Sequence, residues 1–564
     1  MTHPSALRRP PAPEALAQHL VRAVPVHPLV AQVLVGRGLA DPASARAFLH
    51  PRLAELTRPE AMADRDLAAD RLAHAVRRRQ RIAVFGDYDV DGLTSAALLT
   101  RVLRALGAEV VASSASRFDG GYGLSDAALD RVLASSPQLL VTLDCGTSDH
   151  PRLARAQAAG LDAIVIDHHK VPEAPLPALA FLNPHRPGCG FAFKHLASVG
   201  LAFSTAAALR ARLGAALDLR PFLDLVALGT IADVAPLVGD NRVLVRAGLG
   251  RIADGLASPG VKALVREARL KHRITARDVG FSLAPMINAP GRLGSPAPTL
   301  RLLLADRDDE AAEAAAELAA ANTKRKEISA ALVTAALAQV RAVYGEALPA
   351  GIVLAGDGWH EGMGGIVAAR LVDQLGVAVV VIALDGDHGV GSVRAPRGVR
   401  LYDAVHACRD LLVKYGGHDG AAGLSVSRGR VEALRAAFAD AVAGAPRAEM
   451  AEAEAEAVLS EGDLVPGLAH DLGLLDPIGE GNPEVRVWVP EAKLCDARPV
   501  GEGHLRVSFG LGRRFVGAFV RDGLGLQARG ALPPTGARVD LQATLRPDPW
   551  QGPEAVQLDN LRFR

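Results

Sequence analysis

The chain has 564 residues, too many for one hydrophobic core, and this length predicts about three or four domains. Its formal charge of +1 gives no overall basic field, so any nucleic-acid-binding surface must be local. Four scattered cysteines, no apolar run of the roughly 18 residues that a membrane span needs, and no signal-peptide core argue against a disulfide-bonded or membrane-spanning protein, and we expect a cytoplasmic one.

The first part of the chain, residues 1–75, predicts a helical lead-in. Its start is rich in Pro and Ala, and short helices are expected from His27 onward. We expect this segment to pack on the domain that follows it in the sequence.

The first predicted strand, residues 82–86, ends in three carboxylates, those of Asp87, Asp89 and Asp91. Helical spacing follows over residues 94–106, so the three acids lie on a loop between strand and helix. A single Asp in such a loop is most often a helix cap or a turn residue. Three acids within five residues repel one another unless cations hold them, which favours a metal site.

The same pattern recurs along the chain. Predicted strands at 138–143 and 162–166 are followed by acids or imidazoles, and a fourth acid follows an apolar run at 224–232. The carboxyl ends of parallel strands meet at one edge of a sheet, so these side chains should converge. Carboxylates with imidazole suit a hard or borderline divalent ion, and their number suggests two ions about 3.5–4 Å apart. The residues are Asp144, Asp167, His168, His169 and Asp233.

The rest of the chain divides into four predicted segments. Residues 301–345 form a long helix, because Gly and Pro are missing for more than thirty residues. Residues 346–445 read as a second, smaller α/β domain, in which glycines open a helix and expose N–H groups to an anion. Residues 446–476 read as a linker, and the short strands of 477–564 predict a small barrel.

These motifs, taken in order, resemble the DHH phosphoesterase superfamily and, within it, the RecJ family of single-strand-specific 5′ exonucleases. The matching segments are G-D-Y-D-V-D-G at 86–92, L-D-C-G at 143–146, D-H-H at 167–169, D-L-V-A-L-G-T-I-A-D-V at 224–234 and G-G-H-x-x-A-A-G at 416–423. The resemblance implies an α/β fold: a doubly wound parallel-sheet DHH domain with a helical connector (76–300), the long helix, a DHHA1 domain (346–445) and an OB-fold (477–564).

The resemblance also implies a metal centre of two ions, Mn²⁺ or Mg²⁺. Asp144 would bridge the ions, and His169 would donate to a phosphoryl oxygen or the leaving group. One ion would be held by Asp87 and Asp89, and the other by Asp91, His168 and Asp233. Several members of the superfamily have a His where this chain has Phe85, so one ion is expected to lack an imidazole ligand.

Substrate contacts follow from the same resemblance. The 5′ phosphate would be held by arginines and a serine, and the strand near the scissile bond by the G-G-H motif. This chain has S-V-R-A at 392–395 where the family often has S-G-R-S. The candidate substrate-binding residues are Arg117, Tyr122, Asn288, Arg292, Ser392, Arg394, Gly417 and His418.

The implied function is a metal-dependent 5′-to-3′ exonuclease that hydrolyses single-stranded DNA to mononucleotides in DNA repair and recombination. Expected partners are single-stranded DNA with a 5′ phosphate and a single-strand-binding protein or a helicase, and a monomer is expected. Two alternatives remain open at this point. One is a DHH-family phosphodiesterase of short oligoribonucleotides or cyclic dinucleotides, and the other is a non-catalytic single-strand-binding replication protein.

Overall fold

The computed structural model describes residues 14–418, 420–446, 454–501, 503–548, 551–552 and 554–563. Parts of the predicted lead-in and linker, residues 1–13 and 447–453, therefore lie outside the described residues. Among the described residues, no single helix is long and apolar enough to span a membrane. The bent pair formed by Glu14–Ala23 and Pro28–Gly36 meets that test only when the two helices are taken together.

The described part of the lead-in has the α-helices α1 (Glu14–Ala23), α2 (Pro28–Gly36), α3 (Pro42–Leu49) and α4 (Arg65–Arg77). The expectation that the lead-in packs on the next domain holds for its second part, residues 53–77, which buries Met62 and, in α4, Leu72 in the core of the first α/β unit. Helices α1–α3 instead share a core with the C-terminal unit, where Leu29 and Leu34 join Leu472 and Val487. Apolar side chains at the two ends of the chain thus form one core.

The first α/β unit is built on a parallel sheet with the strand order β2-β1-β3-β4-β5. The order in which strands are added to the sheet reverses between β1 and β3: β2 lies beyond β1 on one side, and β4 and β5 lie beyond β3 on the other. Such a reversal opens a crevice at the carboxyl ends of β1 and β3. The elements are β1 (Arg81–Gly86), α5 (Val90–Ala105), β2 (Glu109–Ser114), α6 (Asp126–Ala134), β3 (Leu139–Leu143), α7 (His150–Ala158), β4 (Asp162–Ile166), β5 (Ala180–Leu182) and α8 (Ser198–Leu213).

A helical connector follows this sheet and ends in the long helix. Its last helix begins in the first core, at Ala311, and ends in the second, at Val340. With 37 residues it is about 55 Å long. The helices are α9 (Leu223–Ala232), α10 (Gly239–Ala253), α11 (Pro259–Glu267), α12 (Ala276–Asp278), α13 (Ala284–Ile287), α14 (Ala289–Leu293), α15 (Ala297–Leu304) and α16 (Asp308–Tyr344).

The second α/β unit has a mixed sheet with the order β6-β7-β8-β10-β9. Only the β6–β7 pair of this sheet is parallel. Its elements are β6 (Gly351–Asp357), α17 (Gly364–Leu375), β7 (Ala378–Asp385), β8 (His388–Arg394), α18 (Leu401–Ala407), β9 (Lys414–His418), β10 (Ala421–Ser427) and α19 (Val431–Gly444).

The C-terminal unit is a closed barrel, because β12 pairs with β13 on one side and with β15 on the other. The remaining strands close the circle in the order β13-β14-β16-β15. The predicted succession of parallel sheet, long helix, smaller α/β unit and barrel is confirmed. Its elements are β11 (Ala457–Val458), α20 (Leu468–Leu474), β12 (Val485–Val500), β13 (His504–Leu511), β14 (Arg514–Val520), α21 (Gly523–Ala528), β15 (Arg538–Pro547) and β16 (Val556–Phe563).

Candidate metal centre and phosphate-binding pocket

The acids that follow the parallel strands are aligned by the sheet itself. The N–H of Asp87 donates to the Leu143 carbonyl at 3.0 Å, and the N–H of Asp144 donates to the Ile166 carbonyl at 3.0 Å. Both carboxylates are almost fully buried. The residues that directly follow β1 and β3, Asp87 and Asp144, therefore lie side by side in the crevice at the carboxyl ends of these strands.

The two acids that follow are fixed by helix N-termini. Asp89 caps α5, and its Oδ1 accepts the N–H of Gly92 at 3.0 Å. The carboxylate of Asp91 accepts the N–H groups of Ser198 and Val199, at 2.7 and 2.9 Å, where α8 begins. Gly92 is needed because a Cβ there would lie 2.5 Å from the Asp87 nitrogen. The D-Y-D-V-D-G motif is thus a compact turn that holds three carboxylates.

All the predicted metal and catalytic side chains meet in this crevice. Asp233, at the end of α9, and the imidazoles that follow β4 complete it. Ligand atoms within 4.8 Å of one another form three groups: Asp87–Asp89–Asp144, Asp91–His168–Asp233 and Asp144–His168–His169. Asp144 and His168 each belong to two of these groups, so Asp144 lies next to both the carboxylates and the imidazoles. Its role as the ligand that bridges two ions stays a prediction.

Burial and mutual repulsion raise the pKa values of four carboxyls in the cluster, those of Asp87, Asp91, Asp144 and Asp233. The pKa of Asp144 is raised well above its ordinary value by burial and by the charge of Asp89. Burial and the same neighbour raise the pKa of Asp91 to about 7. Burial, followed by Asp91, raises the pKa of Asp233 to about 8. Keeping all these groups ionised requires a compensating positive charge, which divalent cations supply.

His168 supports the fit of a cation to this cluster. Its Nε2 lies 3.3 Å from Asp144 Oδ1 and 3.7 Å from Asp233 Oδ2. This atom is buried and has no hydrogen-bond partner among the described residues. Burial, with the charge of His169, lowers the pKa of His168 to about 4, so the ring is neutral and its lone pair is free to bind a metal.

The group Asp87–Asp89–Asp144 contains carboxylates only. Phe85, where several superfamily members have a His, is buried in an apolar cluster with Leu124. The expectation that one ion lacks an imidazole ligand is consistent with this arrangement. Oxygen ligands of this kind suit Mg²⁺ and Mn²⁺.

Asp167 has a role that sequence reasoning missed, although it is the first residue of the D-H-H motif. Its carboxylate accepts the N–H groups of Thr147, His168 and His169, at 3.1, 2.8 and 3.1 Å, and it lies 2.7 Å from Nδ1 of His169. Burial alone would lower the pKa of His169, but the hydrogen bond to Asp167 outweighs it and raises that pKa to about 9. Asp167 therefore binds His169 and neighbouring backbone N–H groups, and it belongs to none of the three groups of candidate ligands found among the described residues.

Tyr122, predicted to bind substrate, lies beside the metal cluster. Its hydroxyl donates to the Asp144 carbonyl at 3.2 Å and is 3.0 Å from Nδ1 of His169. The structure thus brings Tyr122 to the imidazole and to the backbone of the candidate bridging ligand. Its contact with substrate stays a prediction.

A second cluster consists of arginines on the adjoining elements. The guanidinium of Arg117 lies over the ring of Tyr88, 4.5 Å from its centroid. Burial, then Arg117 and Arg325, lower the pKa of Arg292 to about 10. The pKa of Arg394 is likewise lowered by burial and by Arg117. Converging guanidinium groups repel one another, and a bound anion relieves that repulsion.

The start of α17 contributes to the same pocket. A Cβ on Gly364 would lie 3.2 Å from the Ser392 hydroxyl, and one on Gly365 would lie 3.0 Å from Nη2 of Arg394. The first turn of α17 therefore lies close to the side chains of Ser392 and Arg394 at the end of β8. Arg325, on α16, lies near Arg292, and its Nε is buried without a partner among the described residues.

The remaining predicted residues lie on the surrounding elements. Asn288 joins α13 to α14, and its carbonyl accepts the N–H of Arg292 at 3.2 Å. Gly417 and His418 lie on β9 of the second sheet. Gly417 has φ +138°, and a Cβ there would lie 2.4 Å from the Ala421 carbonyl. The role of each of these residues stays a prediction.

Sequence profiles of known domain families match three parts of the chain. The N-terminal domain of the DHH family matches residues 81–230, the DHHA1 domain matches residues 347–444, and the RecJ OB domain matches residues 455–560. The matches cover the parallel sheet, the second α/β unit and the barrel.

Individual relatives agree with this assignment. The single-stranded-DNA-specific exonuclease RecJ of Bacillus subtilis is 34% identical over 86% of this chain, which spans 61% of that relative's length. The protein of the same name from Salmonella typhimurium is 38% identical over 78% of this chain and 80% of its own. The crystal structure of RecJ in complex with Mn²⁺ from Thermus thermophilus superposes with a TM-score of 0.82 at 33% identity, over 98% of this chain and 78% of that one. By its profile matches and by relatives covered over most of their length, the chain belongs to the RecJ family of DHH proteins.

Proposed function

We propose that this chain is a metal-dependent exonuclease that hydrolyses single-stranded DNA from the 5′ end. The observation that carries the proposal is the adjacency of the metal cluster and the arginine pocket. Tyr88 stands between the candidate ligands Asp87 and Asp89, and its ring lies under Arg117 of the pocket. A chain end held in the pocket is therefore presented to the cluster. The relatives in Bacillus and Salmonella are named single-stranded-DNA-specific exonucleases.

We propose two divalent ions, because the candidate ligands include two groups with no residue in common, Asp87–Asp89–Asp144 and Asp91–His168–Asp233. Mn²⁺ and Mg²⁺ are the proposed ions, since Thermus thermophilus RecJ structures are described in complex with each of them. Bound ions of this kind activate water and neutralise charge on the phosphate. Asp144 is the ligand that both ions would share. Asp87 and Asp89 would complete one site, and Asp91, His168 and Asp233 the other.

His169 is the proposed proton donor. Asp167 holds its Nδ1 at 2.7 Å, so the ring is oriented and its other nitrogen carries a proton at neutral pH. That nitrogen would donate to a phosphoryl oxygen or to the leaving group. Tyr122, in contact with the same ring, would help to keep it in place.

The arginine pocket is proposed to hold the 5′ phosphate and so to set the polarity of cleavage. Arg117, Arg292 and Arg394 would bind it as guanidinium forks, with Ser392 and the N-terminus of α17 completing the site. The short path from pocket to metal cluster would release mononucleotides. Gly417, His418 and Asn288 would contact the strand near the scissile bond.

The metal assignment is tested by Asp144→Ala. Loss of the shared ligand should abolish Mn²⁺-dependent hydrolysis of single-stranded DNA, with a fall in rate of at least about a thousandfold. Release of nucleotides from a 5′-labelled oligonucleotide measures this. The exposed Asp254 of the same unit supplies a control variant, Asp254→Ala, which should remain active. Activity that persists in Asp144→Ala would refute the assignment.

The phosphate assignment is tested by Arg292→Ala and Arg394→Ala. Each should slow cleavage of 5′-phosphorylated strands by roughly tenfold or more and that of 5′-hydroxyl strands much less, because a charged hydrogen bond to the phosphate is lost. Arg428→Ala, which breaks an exposed ion pair with Asp357, is the control. Equal losses on both kinds of end would remove the phosphate pocket from the mechanism.

The setting of this activity is also a proposal. We propose a monomer that acts in the cytoplasm on single strands formed during DNA repair and recombination, together with a single-strand-binding protein or a helicase. Light scattering of the purified chain tests the monomer. A parallel digest of long single-stranded DNA and of a dinucleotide distinguishes this activity from that of a DHH-family phosphodiesterase of short substrates.

A further inference from the structure

Asp233 follows a helix, whereas Asp87, Asp144 and Asp167 each follow a strand of the parallel sheet. It lies at the carboxyl end of α9, and the chain reverses at the next residue, Val234, with φ +59°. The segment that continues to α10 packs against residues 474–482, which precede the barrel and are here called the C-terminal clamp. The two segments are more than 230 residues apart in sequence.

A network of hydrogen bonds joins the clamp to this segment. The N–H of Leu237 donates to the Glu480 carbonyl at 2.7 Å. The guanidinium of Arg242, in the first turns of α10, is almost fully buried and donates to the carbonyls of Leu475, Leu474 and Asp476, at 3.0, 3.0 and 3.2 Å. These donors bind main chain, so they fix the path of the clamp irrespective of its side chains.

The same segment is tied back to the metal centre on its other side. The buried amide of Asn241 donates to the carbonyls of Pro236 and His195, at 3.1 and 2.5 Å. Three residues after His195, Ser198 donates its N–H to the Asp91 carboxylate and its hydroxyl to Asp144 Oδ1. The clamp, the turn after Asp233 and the start of α8 are therefore parts of one hydrogen-bonded assembly.

The clamp is itself held in one conformation. The amide of Asn482 donates to the carbonyls of Leu475 and Pro477, at 2.8 and 2.7 Å, and accepts from Nη1 of Arg37 at 2.5 Å. Gly481 has φ +70°, and a Cβ there would lie 3.2 Å from Pro236 and 3.3 Å from Val238. The clamp therefore packs tightly against the turn that follows Asp233.

We infer that the C-terminal clamp positions Asp233 for metal binding, and that Arg242 and Gly481 are positioning residues of the metal centre. The inference rests on the proposed function, because it takes Asp233 as a metal ligand. Ligand atoms must be held within about 0.5 Å of their productive positions, so a small shift of the turn weakens the site. The barrel and the metal centre are coupled through this contact.

Gly481→Ala tests the inference without altering any candidate metal ligand. Its added methyl group presses on Pro236 and Val238. Gly530→Ala is a matched control, since Gly530 has φ +69° in the same C-terminal unit and no atom lies near its Cβ position. Both variants bear the same backbone strain, and only the first displaces the turn after Asp233.

Binding of Mn²⁺ to the full chain, measured by electron paramagnetic resonance without DNA, is the readout. We expect two bound ions in the wild type and in Gly530→Ala. In Gly481→Ala the concentration that half-saturates one of the two sites should rise at least about fivefold, with the other site unchanged. Circular dichroism establishes that each variant is folded at the temperature used.

Arg242→Lys is a second variant, in case Gly481→Ala fails to fold. It keeps the charge but loses the fork of carbonyl contacts, and we expect the same selective loss of one Mn²⁺. Its control is Arg65→Lys, another buried arginine of the first unit, which donates to Ser204. Arg65→Lys should lower thermal stability and leave Mn²⁺ binding unchanged.

Two results would overturn the inference, and they are distinguishable. Folded Gly481→Ala and Arg242→Lys that bind two Mn²⁺ as tightly as the wild type contradict the inference alone. A wild-type chain that binds no Mn²⁺ contradicts the proposed function, and the inference with it.

Discussion

At the scale of single residues, Asp167 determines how the two imidazoles beside it differ. It lies beside His169 and keeps that ring protonated, while His168 is left neutral among carboxylates. Burial alone would raise the pKa of Asp167. The hydrogen bond and the charge of His169 outweigh burial and hold the pKa of Asp167 below its ordinary value. These environments support the different roles proposed for the two adjacent histidines, His168 as a ligand and His169 as a proton donor.

Asp167→Asn should separate these roles. Without the carboxylate charge the pKa of His169 falls from about 9, so the protonated ring, and with it the rate, is lost at a lower pH than in the wild type. At pH 8 we expect the rate to fall by about a hundredfold, the usual size of a proton donor's contribution, while Mn²⁺ binding is unchanged. A pH–rate profile measures the shift.

Asp149→Asn is the control, because that carboxylate accepts the N–H of Leu124 and supports a nearby loop. An unchanged alkaline limb in Asp167→Asn would contradict the role assigned to His169. The sequence predicted the clustered ligands because each directly follows an apolar run. It did not predict the role of Asp167, because acceptance of three backbone N–H groups is visible only once the turn is folded.

At the scale of elements, the proposed phosphate pocket depends on one close contact between the two α/β units. The 3₁₀ turn Glu361–Met363 meets the end of α14, where a Cβ on Gly362 would lie 2.1 Å from the Arg292 carbonyl. Nη1 of Arg292 reaches back to the Gly362 carbonyl at 3.5 Å. The W-H-E-G-M-G-G segment was predicted to open a helix and bind an anion, and Gly362 adds the close approach of Arg292.

Gly362→Ala should therefore push the arginines apart without removing any of them. We expect KM for 5′-phosphorylated strands to rise about tenfold, with a smaller change for 5′-hydroxyl strands. Gly250→Ala in α10 is the control, since no atom lies within 4 Å of its Cβ position. A uniform loss on both substrates would show that Gly362 serves only the packing of the two units.

Elements were predicted best where their pattern is local. The long helix was expected over 301–345 and lies at Asp308–Tyr344, because its composition and lack of Gly and Pro act within the helix itself. The apolar run before Asp233 gave no periodicity, and it is helix α9, buried on nearly all sides. A fully buried helix has no polar face, so its residue pattern cannot identify it.

At the scale of the whole molecule, the two ends of the chain form one structural unit. Helices α1–α3 share the barrel core, in which α2 buries Leu29 and Leu34, and Arg37 forms a partly buried ion pair with Glu456. The sequence placed the lead-in on the following domain, because no local signal reports a contact more than 400 residues away. The barrel therefore contacts the lead-in through a shared core and the first α/β unit through the C-terminal clamp.

A pair of core substitutions tests this arrangement. Leu34→Ala in α2 should destabilise the barrel, and Leu72→Ala in α4 the parallel sheet, each by about 2–5 kcal/mol, since both side chains are fully buried. Hydrogen exchange read by mass spectrometry locates the loss: peptides from β12–β16 should exchange faster in Leu34→Ala, and peptides from β1–β4 in Leu72→Ala. If Leu34→Ala exposed the parallel sheet and left the barrel protected, the shared core would be wrong.

Because the clamp joins the barrel to the turn after Asp233, Leu34→Ala should also weaken Mn²⁺ binding, although Leu34 touches no residue of the metal centre.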